Sequence, residues 1–296
     1  MRAILISLLC AIGLLGVSSQ PAQAQNSADI QASGSKVQVY VTAFSKDGPP
    51  LTLTSQDILV SVNKKPARVL DVRPAKGDPL LFALLVDISK SDGQEAKLIR
   101  DLANQLFQAL AVNRNQGYLV LFNDNILISQ MPMSPQHVDS DLATVKFERS
   151  TALYDAIQQT CTYKLGSAQN PNSPRRVIVI VSDGEDNSSH VSHTQAEETA
   201  QKQGVTIFPV LIPSTYTGPA SRGAERMSDF SRTTGGRLVK GNNVQDAVTS
   251  LVSALEEQWV VAFVPARPGN GQMQSFQAKG AAKDLKLSSP SQVFVP

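Results

Sequence analysis

The sequence predicts an α/β protein with a doubly wound, mostly parallel sheet and helices on both faces, together with a small β-unit formed by the N- and C-terminal flanks. Apolar runs without alternation at residues 80–86, 177–181 and 205–212 are typical of strands buried on both faces of a parallel sheet. Segments with helical spacing lie between these runs, and strand patterns flank the whole region. Strands that alternate with helices favour the doubly wound arrangement.

The first 24 residues have the pattern of a secretory signal peptide. Arg2 supplies the positive end, Ile4 to Val17 the apolar stretch, and Ala22-Gln23-Ala24 a small-residue cleavage site. Cleavage near Ala24-Gln25 predicts an exported protein, either periplasmic or extracellular, and residues 25–35 are interpreted as a loose linker. No other run is long and apolar enough to span a bilayer, so we expect no transmembrane span in the mature chain.

Residues 36–77 and 258–296 are interpreted as two β flanks. Val37, Val39 and Val41 alternate with polar residues, and residues 59–72 predict a hairpin that turns at Asn63-Lys64. Strand patterns return at 258–265 and, more weakly, at 275–278 and 285–287. We expect the strands of the two flanks to pair with each other, because short strands alone are marginally stable.

Residues 78–257 carry the α/β pattern. Helices are predicted over 94–111, 194–203, 225–233 and 244–257, and two short strands over 118–122 and 126–128. A helix is also expected to begin near Thr151. It carries Cys161. Because no second cysteine follows the predicted signal peptide, Cys161 has no partner for an intramolecular disulfide, and we interpret it as a buried apolar residue.

The formal net charge of the 296-residue chain is only +2. A near-neutral balance with no basic stripe argues against nucleic acid as a partner, because binding to the phosphate backbone depends on clustered lysine and arginine.

Oxygen donors follow three of the predicted elements. Asp87-Ile88-Ser89-Lys90-Ser91 comes directly after the run 80–86, Thr151 lies at a helix start, and Asp183 follows the run 177–181. Ligands of open α/β sheets collect at the carboxyl ends of the strands. An all-oxygen set suits a hard divalent cation, Mg²⁺ first, with Mn²⁺ or Ca²⁺ as alternatives. Taken singly, the same residues are also ordinary helix caps and turns.

These residues resemble a known family. Asp87-x-Ser89-x-Ser91, Thr151 and Asp183 are similar to the metal-ion-dependent adhesion site of von Willebrand factor type A (VWA) domains, which have a Rossmann-like fold. The loops 151–157 and 181–186 resemble those of a bacterial secreted, acidobacterial-type VWFA-related subfamily. The resemblance implies a non-enzymatic adhesion or assembly module whose bound cation captures an aspartate or glutamate of a protein partner.

Five further residues are candidates for partner binding. Lys90 and Arg149 stand where the family usually has small or neutral residues, and the two alternatives are that they crowd the ion or that they favour an acidic partner. Glu185 lies beside Asp183, and Tyr216 and Arg222 lie in the long segment 213–224. Such a segment is more often functional or mobile than a plain connector, and an ordinary surface loop is the alternative.

Two other functions stay open at this point. One is a metal-assisted hydrolase or phosphatase, since a cation beside a strand-end aspartate can activate water or clamp phosphate. Ser89 occupies the position of the second aspartate of such phosphatases, however, and the sequence has neither a Gly-x-Ser-x-Gly turn nor a phosphate-binding Gly-x-x-x-x-Gly-Lys loop. The other is a structural protein that uses the same surface without metal.

Overall fold

Two sheets organise the chain, and both are seen in a computed structural model that describes residues 36–45, 52–89, 93–166, 174–213 and 222–296. The predicted signal peptide and linker therefore lie outside the described residues. The described strands are β1 Val37–Ser45, β2 Ile58–Val62, β3 Lys65–Pro74, β4 Leu80–Asp87, β5 Gln116–Phe122, β6 Ile126–Ile128, β7 Arg175–Ser182, β8 Val205–Leu211, β9 Val239–Lys240, β10 Gln258–Val264, β11 Gln272–Gly280, β12 Leu285–Ser288 and β13 Gln292–Val295. The described helices are α1 Gly93–Leu110, α2 Pro135–Thr144, α3 Leu153–Thr160, α4 His193–Lys202, α5 Arg222–Thr234 and α6 Val244–Glu256.

The first sheet has six strands in the order β6-β5-β4-β7-β8-β9. All neighbours are parallel except β5 and β6. Helices α1, α2 and α6 pack on one face and α3, α4 and α5 on the other, each set around its own apolar cluster. The unbroken apolar runs of β4 and β7 are needed because both faces of these strands are buried. The predicted doubly wound sheet is confirmed.

The second sheet has seven strands in the order β12-β1-β10-β3-β2-β11-β13. It interleaves strands from before and after the α/β region, which confirms that the flanks pair. Its inner face holds a separate apolar cluster that includes Trp259, Phe263 and Phe276. Asn63 and Lys64 both have positive φ, 48° and 62°, as expected for the predicted tight turn between β2 and β3.

The two sheets are tied together at several buried hydrogen bonds. The Thr42 hydroxyl donates to Gly235 O at 2.8 Å, and the Ser291 N–H donates to Thr233 O at 2.8 Å. Helix α6 leads into β10 through Glu257 alone, and Arg175 at the start of β7 bonds the carbonyl of Leu255 at 2.9 Å. The end of α6 is therefore fixed to both sheets.

The differences from the predicted elements lie in short or polar segments. Helix α2 and strands β9 and β13 have no counterpart in the predictions, whereas the other described elements agree with them to within a few residues. Cys161 begins a π-helical turn, Cys161–Leu165, that continues α3, and it is fully buried as expected; burial raises the pKa of its thiol. Of the helices described, none has the length and apolarity needed to cross a membrane.

Candidate metal centre

Two of the predicted ligands, Asp87 and Asp183, lie where β4 and β7 end. Asp87 is the last residue of β4, and Asp183 follows β7 directly. The two strands are parallel neighbours, with Val86 paired to Val181, so Ser182 lies beside Asp87. Because Asp183 follows Ser182, Asp87 and Asp183 lie at the same edge of the sheet.

The Asp87 carboxylate is almost completely buried, with 3% of the residue exposed. Its Oδ2 accepts a hydrogen bond from the Ser182 hydroxyl at 2.6 Å, and its Oδ1 accepts one from the Ser89 N–H at 3.0 Å. Burial raises the pKa of Asp87 to about 6, whereas hydrogen bonds from Ser182 and from the side chain and backbone of Ser89 act to lower it. The nearby charge of Asp183 adds to the upward shift. A bound cation would relieve the destabilising effect of this buried charge.

Thr151 lies in the loop before α3 and is 5% exposed. Its backbone is held on both sides, since the N–H donates to Asn187 Oδ1 at 2.9 Å and the carbonyl accepts from the N–H groups of Asn187 and Ser188. Its hydroxyl, in contrast, makes no hydrogen bond to any described residue. A hydroxyl on a fixed backbone that has no hydrogen-bond partner among the described residues is a suitable ligand for a cation.

The threonine loop is attached to the same sheet edge. The Ala152 N–H donates to Asn123 O at 2.8 Å, and Asn123 follows Phe122, the residue of β5 that pairs with Asp87. The Asn123 side chain also donates to Glu148 O at 3.2 Å. Thr151 is thus brought to the carboxyl ends of β4 and β5.

The Asp183 loop is packed tightly against the first turn of α5. Asp183 Oδ1 accepts the Glu185 N–H at 3.0 Å, and Glu185 Oε1 accepts the Gly223 N–H at 3.1 Å. Gly184 has φ +84°, and a Cβ there would lie 2.4 Å from Gly223 O. A Cβ on Gly223 would meet Asp183 O at 2.6 Å, so both positions require glycine.

The three described candidates for partner binding, Arg149, Arg222 and Glu185, have different surroundings. Arg149 is exposed at φ +77° and pairs with Asp124 at 3.5 Å and Glu148 at 3.9 Å. Arg222 is the exposed first residue of α5, and Glu185 is half-buried in its contact with Gly223. The predicted ligand Ser91 and the candidates Lys90 and Tyr216 lie outside the described residues.

The described donor set fits a hard divalent cation. Within the described ranges, no group of three or more His, Cys, Asp or Glu side chains is placed to hold a metal. The site instead combines the carboxylates of Asp87 and Asp183 with the hydroxyls of Ser89 and Thr151. Such a set suits Mg²⁺, which takes oxygen ligands and keeps positions for water or a bound group.

Comparison with known proteins is consistent with this geometry. The family model for the von Willebrand factor type A domain matches residues 82–237, more than half of the chain. The chain belongs to the von Willebrand factor type A family. VWA domains commonly hold a divalent cation at the metal-ion-dependent adhesion site and bind protein partners. No curated protein sequence matches this chain.

Several solved structures are similar to this chain at low sequence identity. A von Willebrand factor type A protein from Catenulispora acidiphila has a TM-score of 0.50 at 9% identity, covering 88% of this chain and 74% of its own. An aerotolerance-related membrane protein from Bacteroides fragilis has a TM-score of 0.47 at 15% identity, covering 60% of this chain and 98% of its own. Proximal thread matrix protein 1 from the mussel byssus, with a zinc-occupied adhesion motif, has a TM-score of 0.47 at 13% identity, covering 64% of this chain and 48% of its own.

Three residues that support this VWA site were not singled out from the sequence. Ser182 orients Asp87, Asn187 holds the backbone of Thr151, and Gly223 allows α5 to approach the Asp183 loop. Ser182 was visible as a hydroxyl at the end of an apolar run. The roles of Asn187 and Gly223 depend on contacts across the fold, and no local pattern marks them.

Proposed function

We propose that the protein is a metal-ion-dependent protein-binding module that captures an acidic group of its partner through a bound divalent cation. The cation is held by Asp87, Ser89, Ser91, Thr151 and Asp183. The observation that supports this best is the Thr151 hydroxyl, which has no hydrogen bond to the described residues although its backbone is fixed in the loop that Ala152 attaches to the end of β5.

The chemistry of the site favours an acidic partner. Two carboxylates on the protein side do no more than balance the charge of a divalent ion, and the remaining donors are neutral hydroxyls. When bound, the ion supplies an electrophilic position that a carboxylate oxygen from outside can fill. Mg²⁺ is our first choice for the ion, with Mn²⁺ or Ca²⁺ as alternatives, because all three accept oxygen ligands.

Five further residues are proposed to contribute to the choice of partner. Lys90, Arg149 and Arg222 carry positive charge that attracts an acidic surface, while Tyr216 adds an aromatic contact and Glu185 a negative one. Long-range attraction of this kind raises the association rate and weakens with salt. Arg149 would exchange its exposed ion pair with Asp124 for an ion pair with the partner, at little energetic cost.

The module is proposed to be non-enzymatic. The residues that contact Asp87 are Ser89 and Ser182, and neither is placed by the sequence in a known nucleophile motif. Catalytic turnover that is lost in Asp87→Ala would contradict this part of the proposal.

Export and domain limits belong to the same proposal. The signal-peptide pattern at 1–24 supports a periplasmic or extracellular protein in which 36–77 and 258–296 flank a VWA domain at 78–257. The loop sequences at 151–157 and 181–186 support membership of the acidobacterial-type secreted subfamily.

The proposal is tested by capture of partner proteins from an extract of the source cells, with Mg²⁺ or with a chelator. We expect capture by the wild type only with Mg²⁺, and no such capture by Asp183→Ala. The matched control is Asp141→Ala, an exposed aspartate on α2 that should capture like the wild type. Capture that is equal with and without chelator, or that survives in Asp183→Ala, would refute the role of the ion.

A further inference from the structure

Charge is divided unevenly between the two sheets. The described residues of the flanks, 36–77 and 258–296, carry ten lysines and arginines against three aspartates. The described residues between them, 78–257, carry 14 basic against 19 acidic side chains. The near-neutral total therefore conceals a strongly basic flank sheet, which is the seven-stranded sheet, beside an acidic VWA domain.

Two of the basic side chains lie next to an exposed leucine on the outer face of the flank sheet. Lys279 on β11 pairs directly with Leu59 on β2. Val60 of β2 pairs with Ala67 of β3, so the antiparallel register places Arg68 beside Leu59 on its other side. Arg68, Leu59 and Lys279 thus form a row across three strands.

This row faces solvent and not the interior of the sheet. Leu59 is 60% exposed, and Arg68 and Lys279 are also exposed, whereas the adjacent Val60 and Ala278 point into the apolar cluster of the flank sheet. Leu70, two residues after Arg68 on β3, is 41% exposed at the β-bulge opposite Ala262 and Phe263, and the exposed Asp71 follows it. We name the three residues of the row, Leu59, Arg68 and Lys279, the basic-apolar face.

We propose that the basic-apolar face docks onto the surface of an anionic phospholipid bilayer. Lysine and arginine side chains are attracted to anionic headgroups, and adjacent leucines enter the boundary between headgroups and acyl chains. The basic excess of the flank sheet provides the matching charge, and the acidic VWA domain is repelled from the same surface. This inference is independent of the proposed function, because the basic-apolar face belongs to the seven-stranded sheet and the metal centre to the six-stranded sheet.

The test is sedimentation of the full chain with vesicles of phosphatidylcholine alone or mixed with phosphatidylglycerol, at low and high salt, in chelator. We expect binding to the mixed vesicles at low salt only, because screening weakens such attraction. In Arg68→Gln with Lys279→Gln, binding should fall about 25-fold, since each cation near the surface contributes roughly fivefold. Leu59→Ser should weaken binding without changing its salt dependence.

The matched control is Lys97→Gln with Lys146→Gln, which removes two exposed cations from the acidic VWA domain. This variant should bind the mixed vesicles like the wild type, and unchanged thermal melting of each variant excludes unfolding as the cause. The proposal is overturned if the wild type does not bind the mixed vesicles at low salt, or if it binds both kinds of vesicle equally. It is also overturned if the two double variants lose binding to the same extent.

Discussion

The Ser182 hydroxyl donates a 2.6 Å hydrogen bond to Asp87 Oδ2, joining the ends of two neighbouring parallel strands. The same hydroxyl oxygen accepts the Gly184 N–H at 2.9 Å, which links it to the loop that carries Asp183. One fully buried serine therefore orients the carboxylate of one proposed ligand and fixes the loop of another.

We expect Ser182→Ala to weaken both the fold and the metal centre. Loss of the donor leaves a buried carboxylate oxygen without this partner, which should lower the free energy of unfolding by about 1–3 kcal/mol. It should also raise the pKa of Asp87 further, so that Mn²⁺ binding requires a higher pH. Chemical denaturation and calorimetry at several pH values measure the two effects. Ser140→Ala, which removes an exposed hydroxyl on α2, is the control; similar behaviour of the two variants would contradict the role of Ser182.

The raised pKa of Asp87 predicts a pH dependence of stability in chelator. Its value is 3.8 in a model peptide and about 6 in the folded chain, so the folded state binds more protons between these values. Stability from this group is therefore greatest below about pH 4 and falls by up to about 3 kcal/mol as the pH rises through 6. Urea unfolding across this range measures the effect. Asp87→Asn should be more stable than the wild type at pH 7, and its stability should not fall in this way as the pH rises through 6. The same pH dependence of stability in the variant and the wild type would show that Asp87 is not the group responsible.

The close approach of Gly184 and Gly223 predicts an unequal effect of two glycine substitutions. Gly204→Ala introduces a side chain at φ +63° with no atom within 4 Å of its Cβ, and should cost about 1–2 kcal/mol. Gly184→Ala adds a clash with the backbone of Gly223 and should cost about 1–3 kcal/mol more. Thermal melting compares the two, and Gly184→Ala should also weaken metal binding. Equal melting temperatures would mean that α5 is not held against the Asp183 loop.

Removal of residues 266–296 should unfold the flank sheet. The truncation deletes β11, β12 and β13, and exposes the apolar cluster that contains Trp259, the only tryptophan of the chain. We expect the fluorescence of Trp259 to shift to longer wavelength and the melting of the flank strands to be lost, since the four remaining strands, β1, β10, β3 and β2, lose Phe276, Val293 and Val295 from their apolar cluster. Unchanged fluorescence would contradict the pairing of the two flanks.

The sequence was sufficient for features that depend on local pattern. Buried runs such as Leu80–Val86 identify a parallel sheet because both faces of each strand need apolar residues. Helix α2 was not predicted because only Val138 and Leu142 of its ten residues are buried, which leaves a weak helical period. Strand β9 has two residues, which is too short to form a pattern, and nothing in the sequence distinguished the four residues of β13.

The site divides in the same way. Asp87, Ser89, Thr151 and Asp183 could be found because oxygen donors after strands are visible in the chain. The residues that support these ligands could not be found. Asn187 is 36 positions from Thr151 in the sequence, and Gly223 is required only because Gly184 packs against it. Contacts of this kind arise from packing, and no spacing rule encodes them.

The most direct test of the metal centre is calorimetric titration of Mg²⁺ or Mn²⁺ into the wild type, Thr151→Val and Thr249→Val. Because the Thr151 hydroxyl makes no hydrogen bond to the described residues, its removal should leave the melting of the metal-free protein nearly unchanged. We predict that the wild type and the exposed-threonine control bind the ion and melt at a higher temperature, while Thr151→Val binds at least about tenfold more weakly. Equal binding by all three proteins, or no binding by the wild type at millimolar ion, would contradict the account.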